Sequence, residues 1–218
     1  MKRTIMVDFD GTITKRDTCV AVTNEFATRD WRSLDEEWAK GELSTQDCCN
    51  ILFGLMDFNE VRLKSFLETI EIDDYFSRFI ELCRENAYGI YIVSDGFDFN
   101  INTVLNKNGI KDIEIYSNNF FFDDEGNYNL QFPHESKNCG KCGTCKTEIY
   151  NRLKKNSDEI IYVGDGYSDR CVAANADVLF AKSYLAKYCD EKGIKYIKYE
   201  SFKDVINYLN HNKPSEGL

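Results

Sequence analysis

The sequence predicts an α/β protein: a parallel sheet covered by helices on both faces, with a helical insertion between its first and second strands. Two observations carry that prediction. From about residue 89 onward, short apolar runs of strand length alternate with segments of helical spacing, the pattern of parallel strands joined by helical crossovers. Before that, from about Asp17 to Asn86, the spacing is helical throughout, yet a strand already precedes it. The helical block therefore interrupts the sheet rather than leading it. A chain of 218 residues accommodates one domain with such an insertion, and its core needs no disulfide staples.

The elements follow in order. Thr4-Ile5-Met6-Val7 is an apolar strand ending in Asp8-Phe9-Asp10-Gly11-Thr12. In the helical block, Trp31, Leu34 and Trp38 fall at i, i+3, i+7, and Cys48, Ile51, Leu52 and Leu55 repeat that spacing. Ser44 and Asn59 are expected N-caps, and Gly41 is expected to stop a helix. Gly89–Val93 is a buried strand, followed by a helix through Ile101, Val104 and Leu105. Ile113–Tyr116 is expected as a separate strand. Asn119–Phe122 and Tyr128–Phe132 flank the turn-forming Asp123–Asn127 as a hairpin. A Cys- and Gly-rich loop leads to a helix carrying Ile149, Tyr150 and Leu153. Ile160–Val163, Val178–Phe180 and Lys195–Ile197 complete the strands. With 2 prolines and no Gly/Ser run there is no flexible linker.

Charge narrows the function classes. Lys and Arg total 27 against 37 Asp and Glu, a formal net charge of −10. Nucleic-acid binding leans on a basic footprint, so a nucleic-acid partner is not expected, and an anionic membrane surface is disfavoured for the same reason. No apolar run approaches the roughly 20 residues of a membrane-spanning helix. The segment Met1–Val7 reaches Asp8 too soon for a signal-peptide core, so the expected location is the cytoplasm, with the 9 cysteines reduced or ligating metal. Nothing in the sequence sets an oligomeric state.

Four segments place polar groups at expected strand ends, where open α/β sheets gather ligands. Asp8 and Asp10 are two residues apart, so both can face one pocket while the strand persists. Ser94-Asp95-Gly96 offers a hydroxyl and backbone amides, expected at the head of a helix and suited to an anionic oxygen. Lys146 lies near a helix start. Asp165 and Asp169 follow a buried strand. Each string alone is ordinary turn chemistry; their shared order and strand-end placement are not.

In that order the segments resemble the four motifs of the haloacid dehalogenase superfamily, over nearly the whole chain. The helical block occupies the position of that superfamily's C1 cap, as in phosphoserine phosphatases. The resemblance implies a core of residues 1–14 and 77–218 and a cap of residues 15–76. A narrower resemblance rests on Phe132-Pro133-His134 and Cys139, Cys142, Cys145 and Lys146 after an aromatic hairpin. It points to the branch holding the 2-hydroxy-3-keto-5-methylthiopentenyl-1-phosphate phosphatases of methionine salvage and the related phosphoethanolamine/phosphocholine and pyridoxal-phosphate phosphatases. Ser94-Asp95, where phosphoserine phosphatases carry Ser-Gly, is nearer the choline-type relatives.

The resemblance implies a metal-dependent phosphomonoesterase acting on a small soluble phosphate ester. Asp8 would be the nucleophile, with Asp10 as general acid and base. Mg²⁺ would sit on Asp8, the carbonyl of Asp10 and Asp165, with Asp169 as a further ligand or water anchor; oxygen ligands fit that ion. Lys146 would contact Asp8 and the phosphoryl group. Ser94, Asp95, Gly96 and Thr12 would surround the phosphate or shape the turn. Phosphotransfer on the same fold is the alternative enzyme reading, and a catalytically silent binding module the alternative class. Asp17, Glu25 and Asp98, with Phe97 and Tyr167, are candidates for the substrate side.

The cysteine loop carries two expectations. The spacing of Cys139, Cys142 and Cys145, with His134 upstream, resembles half of a zinc knuckle, which makes structural Zn²⁺ one reading. A reduced loop that simply feeds Lys146 into the site is the other. Cys19, Cys48, Cys49, Cys83, Cys171 and Cys189 read as small core side chains.

Overall fold

The computed structural model describes residues 1–136 and 140–213. Strand β1 (Arg3–Val7) is followed by helices α1 (Thr18–Phe26), α2 (Arg32–Lys40), α3 (Thr45–Gly54), α4 (Glu60–Leu67) and α5 (Phe76–Glu85). Then come β2 (Gly89–Phe97), α6 (Asp98–Lys107), β3 (Glu114–Phe122), β4 (Tyr128–Gln131), α7 (Lys146–Lys154) and β5 (Glu159–Gly164). A single 3-10 turn, Tyr167–Asp169, precedes α8 (Arg170–Ala173), β6 (Val178–Ala181), α9 (Ser183–Lys192), β7 (Ile197–Lys198) and α10 (Phe202–His211).

The strands form one sheet in the order β4-β3-β2-β1-β5-β6-β7. All neighbours are parallel except the β3–β4 hairpin. β1 lies in the middle, paired to β2 and β5, and every one of its residues is buried. That explains the apolar run Ile5–Val7, because strands covered on both faces need no polar side, while the buried Arg3 is paired with Glu159. The two-residue period divides the core. Ile5, Val7, Ile161 and Val163 face the layer of α5, α6 and α10, while Met6, Ile160 and Tyr162 face α7 to α9. Helix α5, although part of the helical block, packs its Phe76 and Phe79 on Phe202 of α10 at ring distances of 4.9 and 4.8 Å. It belongs to the layer covering the sheet.

The expected caps hold. Ser44 accepts from the amide of Asp47 at 3.1 Å, Asn59 from that of Arg62 at 3.0 Å, and Gly41 ends α2 in the left-handed region at φ 75°. Helix α2 departs from expectation, since none of its residues is buried and Trp38 faces the ring of Tyr167 at 4.9 Å instead of a core. The separate strands expected at residues 113–116 and 119–122 are one strand, β3. Ser117 and Asn118 interrupt its apolar run but are themselves buried, with Asn118 donating to the carbonyl of Asp95 at 2.7 Å.

Strand β2 is the element that shapes the site. Its register on β3 runs Val93↔Tyr116 and then Phe97↔Asn118, so four steps along β2 oppose two along β3. Ser94-Asp95-Gly96 is therefore a bulge, not the helix head expected from sequence, and helix α6 begins at Asp98. Bulges re-aim side chains next to active sites. Beyond it, Phe97, Phe120, Phe53, Phe58 and Tyr128 form an aromatic cluster that ties the end of α3 to the hairpin. Phe53 reaches Phe120 at 5.1 Å and Phe97 at 5.2 Å. Among the described residues, no helix is long and apolar enough to cross a membrane.

Candidate active site

The four expected segments meet at the carboxyl ends of β1, β2 and β5. Asp8 follows β1 and extends its pairing, its amide donating to the carbonyl of Val163 at 2.9 Å. The carboxylate is buried; Oδ1 accepts from the amide of Phe9 at 2.8 Å and from Lys146 Nζ at 2.7 Å. Lys146 opens α7 and is itself buried, with its ammonium also 2.6 Å from Asp169 Oδ1. Gly11 turns the chain at φ +72°, and a Cβ there would sit 2.5 Å from Asp165 Oδ2. Only glycine allows that turn and that approach. Thr12 donates to Asp165 Oδ1 at 2.7 Å, joining the first segment to the fourth.

Asp10 is held from one side. Its Oδ1 accepts from the amide of Thr18 at 2.8 Å and its hydroxyl at 2.5 Å, both at the start of α1. Its Oδ2 faces the β2 bulge, with Ser94 Oγ at 3.4 Å, and a Cβ on Gly96 would lie 2.6 Å from it. Ser94 and Gly96 thus line the pocket. Asp95 between them does not turn the same way: its carboxylate accepts from Thr45 Oγ1 at 2.8 Å and from the amide of Thr144 at 2.7 Å.

Asp169 is wholly buried, and its two oxygens take four protein donors. Lys146 and the phenol of Tyr162 bind Oδ1 at 2.6 and 2.5 Å, and the amides of Asp165 and Gly166 bind Oδ2 at 3.0 and 2.9 Å. A carboxylate offers about four lone-pair directions, so in this geometry Asp169 anchors its neighbours. Three residues outside the four expected segments contribute. Tyr162 of β5 completes the Asp169 shell. The Tyr199 hydroxyl lies 3.4 Å from Thr12 Oγ1 and donates to the carbonyl of Gly164 at 3.3 Å. Lys182 sets its ammonium 4.9 Å from the Tyr199 ring centre. Burial lowers the pKa of Lys182, while Asp165, Asp73 and Asp8 oppose the drop. One signal in the sequence does point to Tyr162: a phenol inside the aliphatic run Ile160–Val163, on a strand covered on both faces, must find a partner for its O–H.

The electrostatics ask for a cation. Burial and the facing Asp169 carboxylate raise the pKa of Asp8 well above the usual range, against the pull of Lys146. Burial, then Asp169, pushes Asp165 up to about 6. Burial likewise raises Asp10, against its Thr18 bonds. Lys146 is pulled down by burial, yet Asp169 and Asp8 outweigh that and hold it above the ordinary lysine value. Carboxylate oxygens of Asp8, Asp165 and Asp169 all lie within 4.8 Å of one another. Two buried acids and the half-buried Asp165 around one ammonium leave excess negative charge, and all-oxygen donors suit a hard divalent ion such as Mg²⁺. The residues fit that ion.

The remaining expectations divide. Asp17 caps α1 and lies with Asp10 and Cys19 in a second cluster whose ligand atoms are within 4.8 Å of one another. Desolvation by the surrounding protein and the Asp10 charge push Asp17 up to about 7, although the residue is exposed at the surface. Asp98 instead binds the amide of Phe120 at 2.8 Å, Glu25 is exposed, and Phe97 is enclosed in the aromatic cluster. Tyr167 packs against Trp38, with the rings tilted by 49°, and against the guanidinium of Arg170. Cys48, Cys83 and Cys189 are core residues, but Cys19 and Cys49 are half-buried and Cys171 is exposed. Cys19 and Cys49 pack against the core, so the reading as core side chains is corrected at Cys171 alone.

The zinc reading finds no support. Among the described residues, neither cluster of close acidic and thiol ligands includes His134, Cys142 or Cys145, and Cys139 lies outside the described residues. Backbone pairing joins the two ends of the described loop. His134 bridges Thr144, and its carbonyl accepts from the amide of Cys145 at 2.9 Å, setting Lys146 at the head of α7.

A parallel sheet with an Asp-x-Asp strand end, a buried lysine and a second acidic pair defines a phosphatase of the haloacid dehalogenase type. The chain belongs to the family described as "Putative Phosphatase", whose model matches residues 3–189, and it is a phosphoric monoester hydrolase. Among curated relatives, the 2-hydroxy-3-keto-5-methylthiopentenyl-1-phosphate phosphatase of Bacillus pumilus is 34% identical over 211 residues, 94% of this chain and 90% of the relative. The enzyme of the same name from Bacillus cereus is 32% identical, covering 95% of both chains. The fold matches a substrate-bound phosphoserine phosphatase with a TM-score of 0.72 at 20% identity, over 95% of this chain and 98% of that one. The phosphoserine phosphatase of T. onnurineus matches with a TM-score of 0.70 at 20% identity, over 98% and 96%.

Proposed function

We propose that this chain hydrolyses a small phosphate monoester through a covalent phosphate on Asp8, and that its substrate is 2-hydroxy-3-keto-5-methylthiopentenyl-1-phosphate. The observation that carries the mechanism is the Lys146 ammonium shared between Asp8 Oδ1 and Asp169 Oδ1. It favours the carboxylate form of Asp8 against burial and the Asp169 charge, and leaves Oδ2 as the attacking atom. Oδ2 bonds to phosphorus as the bond to the leaving oxygen breaks, and Asp10 gives that oxygen its proton. Asp10 then takes a proton from water, whose oxygen attacks phosphorus, breaks the Asp8–phosphate bond and releases orthophosphate. Thr18 fixes one oxygen of Asp10 and leaves the other facing the β2 bulge, where the proton is needed. Ser94 and the amides of the bulge receive phosphoryl oxygens, and Thr12 orients Asp165.

Mg²⁺, held by Asp8, Asp165 and the carbonyl of Asp10 with Asp169 behind them, supplies positive charge to the phosphoryl group when bound. Helices α1–α4 act as a cap, because Thr18, Trp38 and Thr45 reach the strand-end segments directly. The substrate assignment is supported by relatives of that name that align over nearly the whole chain.

The test is orthophosphate release from a panel containing the methylthiopentenyl ester, phosphocholine, phosphoethanolamine, pyridoxal phosphate, phosphoserine and an aryl phosphate. The first should lead in kcat/KM by about tenfold or more, the discrimination a few well-placed contacts give. Preference for another ester removes the substrate assignment and leaves the mechanism. Wild-type hydrolysis of the aryl phosphate by Asp8→Asn removes the mechanism.

A further inference from the structure

Asp95 interrupts the phosphate-facing bulge without facing the phosphate, and its partners come from helix α3 and from the loop that precedes Lys146. Thr45, the buried first residue of α3, donates its hydroxyl to Asp95 Oδ2 at 2.8 Å, accepts from Trp38 Nε1 at 3.1 Å, and donates its amide to the carbonyl of Lys141 at 2.8 Å. Lys141 reaches back to the carbonyl of Gly41 at 3.2 Å. On the other side, Asp95 Oδ1 accepts from the amide of Thr144 at 2.7 Å, and Asn118 closes a ring. Its Nδ2 donates to the Asp95 carbonyl at 2.7 Å, and its Oδ1 accepts from Thr144 Oγ1 at 3.2 Å. Thr144 stands two residues before Lys146, and Asp95 stands between Ser94 and Gly96.

We propose that Thr45 and Asp95 are positioning residues that couple closure of the α1–α4 cap to the placement of Lys146 and of the β2 bulge. The inference rests on reading α1–α4 as a cap. With the cap docked, the Thr45 hydroxyl satisfies one oxygen of a carboxylate whose other oxygen fixes the lysine loop. With the cap away, that carboxylate loses a partner, and a buried acceptor left short of donors is costly, so the ring through Thr144 loosens. The site is thus complete only when it is covered, which ties chemistry to exclusion of water. Burial raises the pKa of Asp95, and the bonds from Thr144 and Thr45 oppose that rise.

The experiment is hydrogen exchange of the amides of residues 140–146 in Thr45→Val, read beside steady-state kinetics on the panel above. Loss of a hydrogen bond to a charged acceptor gives about tenfold faster exchange in that segment, which is remote in sequence from the substitution. kcat falls by about tenfold with KM little changed, the pattern of a misplaced catalytic group. Thr45→Ser, which keeps the hydroxyl, restores both. Asp95→Asn reproduces both and serves where Thr45→Val does not fold, and Thr45→Val adds little to it. Unchanged exchange at 140–146 overturns the proposal, as does full additivity of the two substitutions. An altered KM in Asp95→Asn with Thr45→Val silent would assign Asp95 to direct substrate contact and also overturn it. Exchange does not depend on turnover, so failure of the aspartyl-phosphate reading is seen separately.

Discussion

Tyr162→Phe isolates one bond at the centre of the site. The phenol is fully buried and donates to Asp169 Oδ1 at 2.5 Å, the same atom that holds Lys146 at 2.6 Å. Burial, followed by the Asp169 and Asp8 charges, raises its pKa, so it remains a donor. Phenylalanine keeps the ring and its packing, and no orphaned hydroxyl is left. A hydrogen bond to a charged acceptor contributes about 1.5–3 kcal/mol. Asp169 retains Lys146 and two amides, which places the expected loss near the lower end, about 1.5 kcal/mol. In a chain of this length that lowers Tm by about 3–6 °C. The lost donor also leaves Asp169 drawing more strongly on Lys146, pulling the ammonium from Asp8, so kcat falls by about tenfold while KM moves little. Differential scanning calorimetry gives the first number and phosphate-release kinetics the second. A Tm shift with kcat within twofold of wild type refutes the link from Tyr162 through Asp169 to Lys146.

Lys146→Met strips the ammonium shared by Asp8 and Asp169, leaving two buried acids without that counter-charge. A loss of about 3–5 kcal/mol in urea unfolding is expected, with turnover of the aryl phosphate abolished. Gly96→Ala puts a Cβ 2.6 Å from Asp10 Oδ2 and 3.1 Å from Ser94 Oγ, so kcat should drop by about 100-fold while far-UV circular dichroism stays unchanged. Chelation should abolish turnover and Mg²⁺ restore it. In the same samples Mg²⁺ should raise Tm, by about 2.7 kcal/mol of stabilisation at a hundredfold excess over Kd, because it binds the folded site alone. An identical Tm with and without the ion would count against the acidic cluster as its site.

The central strands were readable because strands buried on both faces carry continuous apolar sequence, as β1 and β5 do. The strand-end acids were readable because a strand end with two carboxylates and a glycine turn has few other uses. What escaped depends on contacts remote in sequence. The bulge at Ser94–Gly96 is defined by register against β3, which local spacing does not encode, and so the segment read as the head of a helix. Asp95 is indistinguishable from its neighbours by sequence, because what turns it away is Thr45 and Thr144, about fifty residues off on either side. Tyr199 and Lys182 lie far along the chain from Thr12 and Gly164, and a tyrosine or lysine at a strand end carries no local sign of its partner. Ser117-Asn118 interrupts the apolar run without ending the strand, because the buried Asn118 amide bonds to the Asp95 carbonyl inside the fold.

Helix α3 is fastened differently at its two ends. At Phe53 it rests in a bed of aromatic rings, whose contacts are non-directional and survive a modest tilt. At Thr45 it is held by hydrogen bonds, which do not. About 12 Å of helix axis separates the two residues. A rod so mounted behaves as a door, with a greased hinge at Phe53 and a latch at Thr45. A swing of about 15° carries the latch end by about 3 Å, enough to break every directional bond there while the hinge stays seated. The latch end is also where Trp38, Thr45, Asp95, Lys141 and Tyr167 line a cavity.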